Sequence, residues 1–257
     1  MEIHPAAVVS SGAELGTGVK IGPYSTIGSN VRIGSDSIIG AHVVIEGHTE
    51  IGERNRISPF SSIGIAPQDV AYKGEDTRLL IGDDNVIREY VTISRATTKE
   101  EWKTVIGNSN YIMAYAHIAH DCYLGDMIIM SNAATLGGHI KIGDHSIIGG
   151  LVAIHQFVRI GAYAFIGGMT GIVKDIPPFM ITSGSRARLY GINRKGLTRQ
   201  GFSKETIGGL KKAYRIIWRQ NRRFSEGIKQ VRNEVKSTPE LEVLLNFFEG
   251  SKRGILR

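Results

Sequence analysis

A single cysteine, Cys122, in a chain of 257 residues excludes an internal disulfide and any metal site built from several thiolates. No uninterrupted apolar run approaches the roughly 20 residues of a membrane-spanning helix, and the Met-Glu-Ile-His start has no basic stretch backed by an apolar core. Stable membrane insertion is therefore not expected, and the expected location is cytoplasmic. Acidic residues are in the minority, 24 Asp plus Glu against 31 Lys plus Arg, for a formal charge of +7. The excess gathers late. From Arg186 to Arg223 a dense series of cations, among them Arg188, Arg194, Lys195, Arg199, Lys211, Lys212, Arg215, Arg219 and Arg222, faces one acid, Glu205. Such a face suits nucleic acid, anionic lipid or an acidic protein, or is simply solvated. Aromatic residues are not interleaved with it as stacking on unpaired bases requires, so nucleic acid is not the expected partner.

What the chain has in quantity is a period of six. Aliphatic residues recur at every sixth position from Ile3 through Val9, Leu15 and Ile21 to Ile63, and again from Ile106 through Ile118 and Leu136 to Ile172. A second slot four places later holds small or compact residues such as Ser25, Ser37, Asn55, Asn110, Cys122 and Ser146. This period fits neither an α-helix nor an alternating strand. It is the pattern of a β-solenoid, a parallel β-helix of hexapeptides. Three hexapeptides make one triangular coil of about eighteen residues, and neighbouring coils stack at about 4.8 Å. Cys122 in the small slot reads as packing rather than as a nucleophile. The glycine that often follows the aliphatic residue is expected at a corner with positive φ.

Two segments break the pattern, 65–80, with Pro67-Gln68-Asp69 and Lys73-Gly74-Glu75, and 94–104. Insertions in a solenoid leave the body as loops on a working face, which makes Asp69 a candidate substrate contact. The repeat ends at Asp175-Ile176-Pro177-Pro178, since consecutive prolines cannot donate ladder bonds. The β-helix is thus expected over 1–178 and an α-helical domain over 179–257. Its helices are expected to open at Ser203, at Ser225 and at Thr238-Pro239, with Leu241, Leu244, Leu245 and Phe248 buried by the last. They would cap the solenoid or dock a partner.

Stacking at eighteen residues places His120, Gly138 and Gln156 in one column, with Asp121, His139 and His155 on the same edge. These residues fall at corner or outer positions of the repeat, so buried core histidines are not expected. Polar groups converging within about three rungs are what a site requires. Asp121 beside His120 suits a base whose tautomer must be fixed. The rival use is metal, because histidines on adjacent rungs can hold zinc with an open position. His117 is either a hydrogen-bonding partner or a wall residue. His4, His42, His48 and His145 lack comparable companions and read as exposed or as packing between subunits.

The strings Ala116-His-Ile-Ala-His-Asp-Cys122, Asn132-Ala-Ala-Thr-Leu-Gly-Gly-His139, Ile148-Gly-Gly150, His155-Gln156-Phe157 and Gly191-Ile-Asn193 with Gly196-Leu197 resemble the UDP-N-acetylglucosamine 3-O-acyltransferase family of lipid A synthesis. The likeness spans essentially the whole chain. It implies a left-handed helix, an exception to the right-handed crossover rule, in a homotrimer with active sites between subunits. It implies transfer of an (R)-3-hydroxyacyl group from acyl carrier protein to the 3-hydroxyl of UDP-N-acetylglucosamine. No cofactor and no metal are implied, the phosphopantetheine thioester being a co-substrate. By resemblance His120 is the general base, Asp121 orients it and the Gly138 N–H steadies the oxyanion. Asp69, His117, His139, His155 and Gln156 match substrate contacts, Gly168 the end of the acyl channel, and Asn193 and Arg199 positions near the nucleotide. The chain departs from the family at Ala71, Lys195 and Gln200, where a lysine, an acid and an arginine are expected. An acceptor with a 3-amino group would suit the same base. Two other readings stand beside this one: a zinc hydratase of the γ-carbonic anhydrase type and a non-catalytic binding module. The N-acyltransferase of the same pathway differs by an additional N-terminal domain, whereas hexapeptides here begin at Ile3.

Overall fold

Every sixth side chain turns inward, and the chain winds as a triangular solenoid with three parallel sheets as its faces. The structure, a computed structural model, describes residues 1–220 and 223–257. The first face has eleven strands, beginning with Glu2–Ile3 and Lys20–Ile21. The second has nine, from Val8–Val9 to Gly171–Ile172, and the third eight, from Glu14–Leu15 to Arg159–Ile160. In the regular coils Tyr111 pairs with Ile129 and Ile129 with Ile147, the expected eighteen-residue step. The solenoid is a left-handed parallel β-helix.

The aliphatic column forms the core: Ile27, Ile45, Ile63, Ile93, Ile118, Leu136 and Ile166 are fully buried. Each such side chain stabilises the fold by about 1.5–3 kcal/mol relative to exposure. The compact slots do different work. Ser37 Oγ donates to the Gly52 carbonyl at 3.0 Å and accepts from Asn55 N at 3.1 Å, while Asn110 joins Gly125 O and Ile128 N. Buried serines and asparagines thus satisfy the backbone at the corners, where ladder bonds stop.

The glycines play a different part from the one expected. Gly22, Gly34 and Gly143, each after an inward aliphatic, do not have positive φ; a Cβ there would lie 2.5–2.7 Å from backbone of the next coil. They are small because coils approach closely, not because φ requires it. The left-handed residue is instead the third after the aliphatic, and it is seldom glycine: Tyr24, Asp36, Asp121 and His139 all have φ between 58° and 62°. On the edge between the first and second faces that position builds a column of stacked rings, Tyr24, His42, Phe60, Tyr90 and Tyr115, with centroids 4.8–5.1 Å apart.

The first face runs past the expected boundary at Pro178. Met180–Ser183 pairs parallel with Phe165–Ile166, and Arg188–Ile192 adds antiparallel to it. The diproline turn interrupts the repeat without ending the sheet, since the hydrogen-bonding residues lie beyond it. Four helices follow: α1 (Arg194–Arg199), α2 (Lys204–Arg219), α3 (Phe224–Glu234) and α4 (Pro239–Asn246). Ser203 caps α2 through Thr206 N and Thr238 caps α4 through Leu241 N, as the sequence predicts. Ser225 does not cap α3; Arg223 holds that position without a side-chain bond, and Ser225 lies inside the helix. Leu241, Leu244 and Leu245 are buried, with Phe248 partly buried just beyond α4. The tail is latched to the solenoid at buried Asp175, which accepts from Arg159 and Ser251. No helix among the described residues is long and apolar enough to cross a membrane.

Candidate active site

Both insertions leave the second face and return on the third, one between strands Ser62–Ile65 and Arg78–Ile81, the other between Thr92–Ser94 and Lys103–Ile106. They therefore cover the same edge of the prism. On that edge the strand His117–Ile118 turns its isoleucine inward and its histidine outward, and the following turn carries His120 and Asp121. Positive φ at Asp121 lets the chain double back so that Cys122 enters the core. Burial pushes the Cys122 thiol up to about 12, which leaves it inert, as its packing role implies.

His120 Nδ1 lies 2.8 Å from Asp121 Oδ2. The carboxylate is sealed: its side chain is 1% exposed, against 12% for the imidazole. Thr97 donates both its hydroxyl, at 2.6 Å, and its N–H to Asp121, whose own N–H donates to Thr104 Oγ1. Burial raises the Asp121 carboxyl, but the bonds from His120 and Thr97 outweigh it and hold the group below the usual carboxylate range. With Nδ1 committed, Nε2 is the nitrogen of His120 left for chemistry. Gly138 lies against that ring: a Cβ built on it would stand 2.5 Å from His120 Cε1 and 2.9 Å from Nε2. Gly138 O accepts from Phe157 N, while its own N–H donates to no described group.

His139 differs from expectation. It is not an outer residue; its side chain is 2% exposed, stacked on Phe157 with ring centroids 4.4 Å apart and T-shaped against His120 at 5.2 Å. The second loop supplies the cover that buries Asp121 and His139, through Thr97 and Glu100. Across the site Lys99 of that loop pairs with Asp69 of the first loop. The Lys99 bond and the Ala71 N–H hold the Asp69 carboxyl below its usual range, and the charge of His120 acts in the same direction. His117 Nδ1 is 2.7 Å from Thr92 Oγ1; burial, and then the nearby charge of His120, lower its pKa. His155 and Gln156 are exposed on the next rung, His155 bonded to the Gln156 carbonyl.

Donor atoms of His120, Asp121 and His139 lie within 4.8 Å of one another, close enough to gather a cation. Two of them are already joined by the 2.8 Å contact, and Thr97 occupies the same carboxylate oxygen. A cation held by all three residues through the Asp121 Oδ2 atom would displace these bonds.

Residues 175–256 match the family described as "Udp N-acetylglucosamine O-acyltransferase; Domain 2", and residues 30–64 match "Bacterial transferase hexapeptide (six repeats)". An acyl-[acyl-carrier-protein]--UDP-N-acetylglucosamine O-acyltransferase of Thermodesulfovibrio yellowstonii is 55% identical over 256 residues, covering 100% of this chain and 99% of its own. Its namesake from Syntrophobacter fumaroxidans is 52% identical over 258 residues, with both chains covered completely. The solved structure of LpxA from Acinetobacter baumannii superposes with a TM-score of 0.97 at 42% identity, again over 100% of both chains. The chain belongs to the UDP-N-acetylglucosamine O-acyltransferase family.

As a member of that family it is an acyltransferase. Three of the residues singled out by the family resemblance lie away from His120. Gly168 is exposed on the edge of the aromatic column, beside Met169. Asn193 is buried as the cap of α1, accepting from Gly196 N and donating to Tyr163 O, and Arg199 is exposed at the end of that helix. The amide of Asn193 is thus engaged in the fold. Sequence reading missed Thr92, Thr97, Lys99, Glu100 and Thr104 beside the histidines. All but Thr92 lie in the segment where the period of six lapses, so no register pointed to them.

Proposed function

We propose that this acyltransferase moves an (R)-3-hydroxyacyl group from the phosphopantetheine thioester of acyl carrier protein to the 3-hydroxyl of UDP-N-acetylglucosamine, in the cytoplasm at the start of lipid A synthesis. His120 is the general base. Its Nε2 takes the hydroxyl proton as the sugar oxygen attacks the thioester carbon. The carbonyl oxygen gains the negative charge and is met by the Gly138 N–H. Collapse breaks the C–S bond, and the proton held by His120 passes to the leaving sulfur. Asp121 keeps the Nδ1 proton in place and balances the imidazolium. The thioester supplies the activated acyl group, so the reaction calls for no resident cofactor.

The single observation that carries this reading is the buried Asp121 to His120 Nδ1 contact of 2.8 Å beside a glycine whose N–H is unspent. Asp69, His117, His139, His155 and Gln156, on the same edge, are read as sugar, phosphate or acyl contacts. A homotrimer would bring a neighbour's aromatic edge, with Gly168, across the groove from His120. Exposed Tyr24, Phe60, Tyr90, Tyr115, Leu151 and Met169 along that edge support the assembly. Exposed Lys211 and Arg215 of α2 suit an acidic carrier protein, and Arg199 suits the nucleotide.

The test is turnover of purified protein with UDP-N-acetylglucosamine and hydroxyacyl carrier protein. His120→Ala is expected to lower kcat by about 10²-fold or more while the solenoid stays folded, since the imidazole is not part of the core. Near-normal turnover would remove His120 from the role of base.

A further inference from the structure

The grip on His139 is uneven. Both faces of its surroundings are apolar or aromatic, with Phe157 stacked 8° from parallel and His120 meeting it edge-on. Its polar atoms are poorly served. Nε2 stands 3.8 Å from Asp121 Oδ2, and Nδ1, fully buried, has no hydrogen-bond partner. A buried ring nitrogen left unpaired is costly, so such an atom calls for an explanation. Glu100 Oε2, on the second loop, stands 3.5 Å from it. The two residues share a cavity of about 230 Å³ with Phe157, Lys141, Arg159 and Lys252, which leaves the glutamate room to move.

We propose that Glu100 is a positioning residue for acyl transfer. Closing by roughly half an ångström, it reaches the usual N–H···O distance of about 2.9 Å and accepts a hydrogen bond from His139 Nδ1. The ring is then fixed against Asp121, and Asp121 against His120. Four side chains form one line, Glu100, His139, Asp121 and His120, in which the outermost is contributed by the second insertion and the innermost faces substrate. The carboxylate of the dyad is bonded to Thr97 on one side and packs against the His139 ring, with Nε2 at 3.8 Å, on the other. Without Glu100 the His139 edge has no anchor, and the error passes to a base whose placement decides the rate. This inference rests on the general-base role of His120.

The full-length protein carrying Glu100→Ala or Glu100→Gln tests it by kinetics and by histidine ¹⁵N NMR. Glu100→Ala is expected to lower kcat about tenfold with the KM of both substrates unchanged. Glu100→Gln, which keeps an acceptor oxygen, restores most of that loss. The His139 Nδ1–H resonance, slow to exchange in the parent and in Glu100→Gln, is lost in Glu100→Ala. Unchanged kcat and an unchanged resonance in Glu100→Ala would overturn the proposal, as would a lowered melting temperature with no change in the resonance. If instead His120→Ala keeps its turnover while the His139 resonance still answers to position 100, the general-base reading fails and the Glu100 contact stands.

Discussion

Gly138→Ala isolates the position of the base from every other property of the site. The substitution keeps the backbone N–H proposed to meet the oxyanion, and Gly138 has no positive φ, so alanine adopts the same backbone without strain. Its Cβ falls 2.5 Å from His120 Cε1, 2.9 Å from Nε2 and 3.0 Å from Nδ1. Ordinary carbon contacts lie at about 3.5–4.0 Å, so the ring must retreat by roughly 1 Å. It cannot do so freely, because Nδ1 is tied at 2.8 Å to a carboxylate that Thr97 holds in place, on a residue whose backbone N–H is bonded to Thr104 Oγ1. A misplacement of about 1 Å costs on the order of 10²-fold in rate. Turnover at saturating UDP-N-acetylglucosamine and hydroxyacyl carrier protein should fall by about that factor, with a melting temperature close to the parent's. Gly137→Ala is the contrasting control: its Cβ would meet Gln156 N at 2.9 Å and Ile154 O at 3.1 Å, backbone of the next coil, so it should lower stability first. Parent-like turnover in folded Gly138→Ala would refute the packing of His120 against this glycine.

Asp121 makes stability depend on acid. Its carboxyl is held below the usual range when folded, so its contribution is present above about pH 4 and is lost as pH falls through the lower folded-state value. The melting temperature of Asp121→Asn should therefore lie below the parent's at about pH 6 and converge on it toward about pH 3; a constant gap would exclude the effect. Reversing Arg215 and Arg219 on α2 to glutamate should raise the KM for carrier protein and blunt its salt dependence, with turnover at saturation retained; Arg222, of the same expected face, lies outside the described residues. Gly168→Met should shift donor preference toward shorter acyl chains, read by product mass in competition, as bulk fills a groove in which each methylene buries about 0.8 kcal/mol. Gly168 lacks positive φ, and a Cβ there meets only the Gly150 backbone, O at 3.1 Å and N at 3.8 Å, so the variant is expected to fold; an unchanged preference would take Gly168 out of the channel.

A period of six converts spacing in the chain into stacking in space, because every coil repeats the register of the one below. For that reason the solenoid, the inward aliphatics, Cys122 in the core and the meeting of His120 with Gly138 were all legible in the sequence alone. Local chemistry likewise announced the caps at Ser203 and Thr238. What no period carries, only the tertiary structure decided. The 94–104 segment has no register, so its path over the edge, and with it the burial of Asp121 and His139 by Thr97 and Glu100, depends on which surface the loop meets rather than on where its residues fall. By sequence Asn193 matches a position near the nucleotide, and only the structure shows that its amide also donates to the Tyr163 carbonyl and caps α1. Glycine composition was equally ambiguous: whether a missing Cβ serves φ or close approach depends on the neighbouring coil, and in Gly22, Gly34 and Gly138 the neighbour makes that choice.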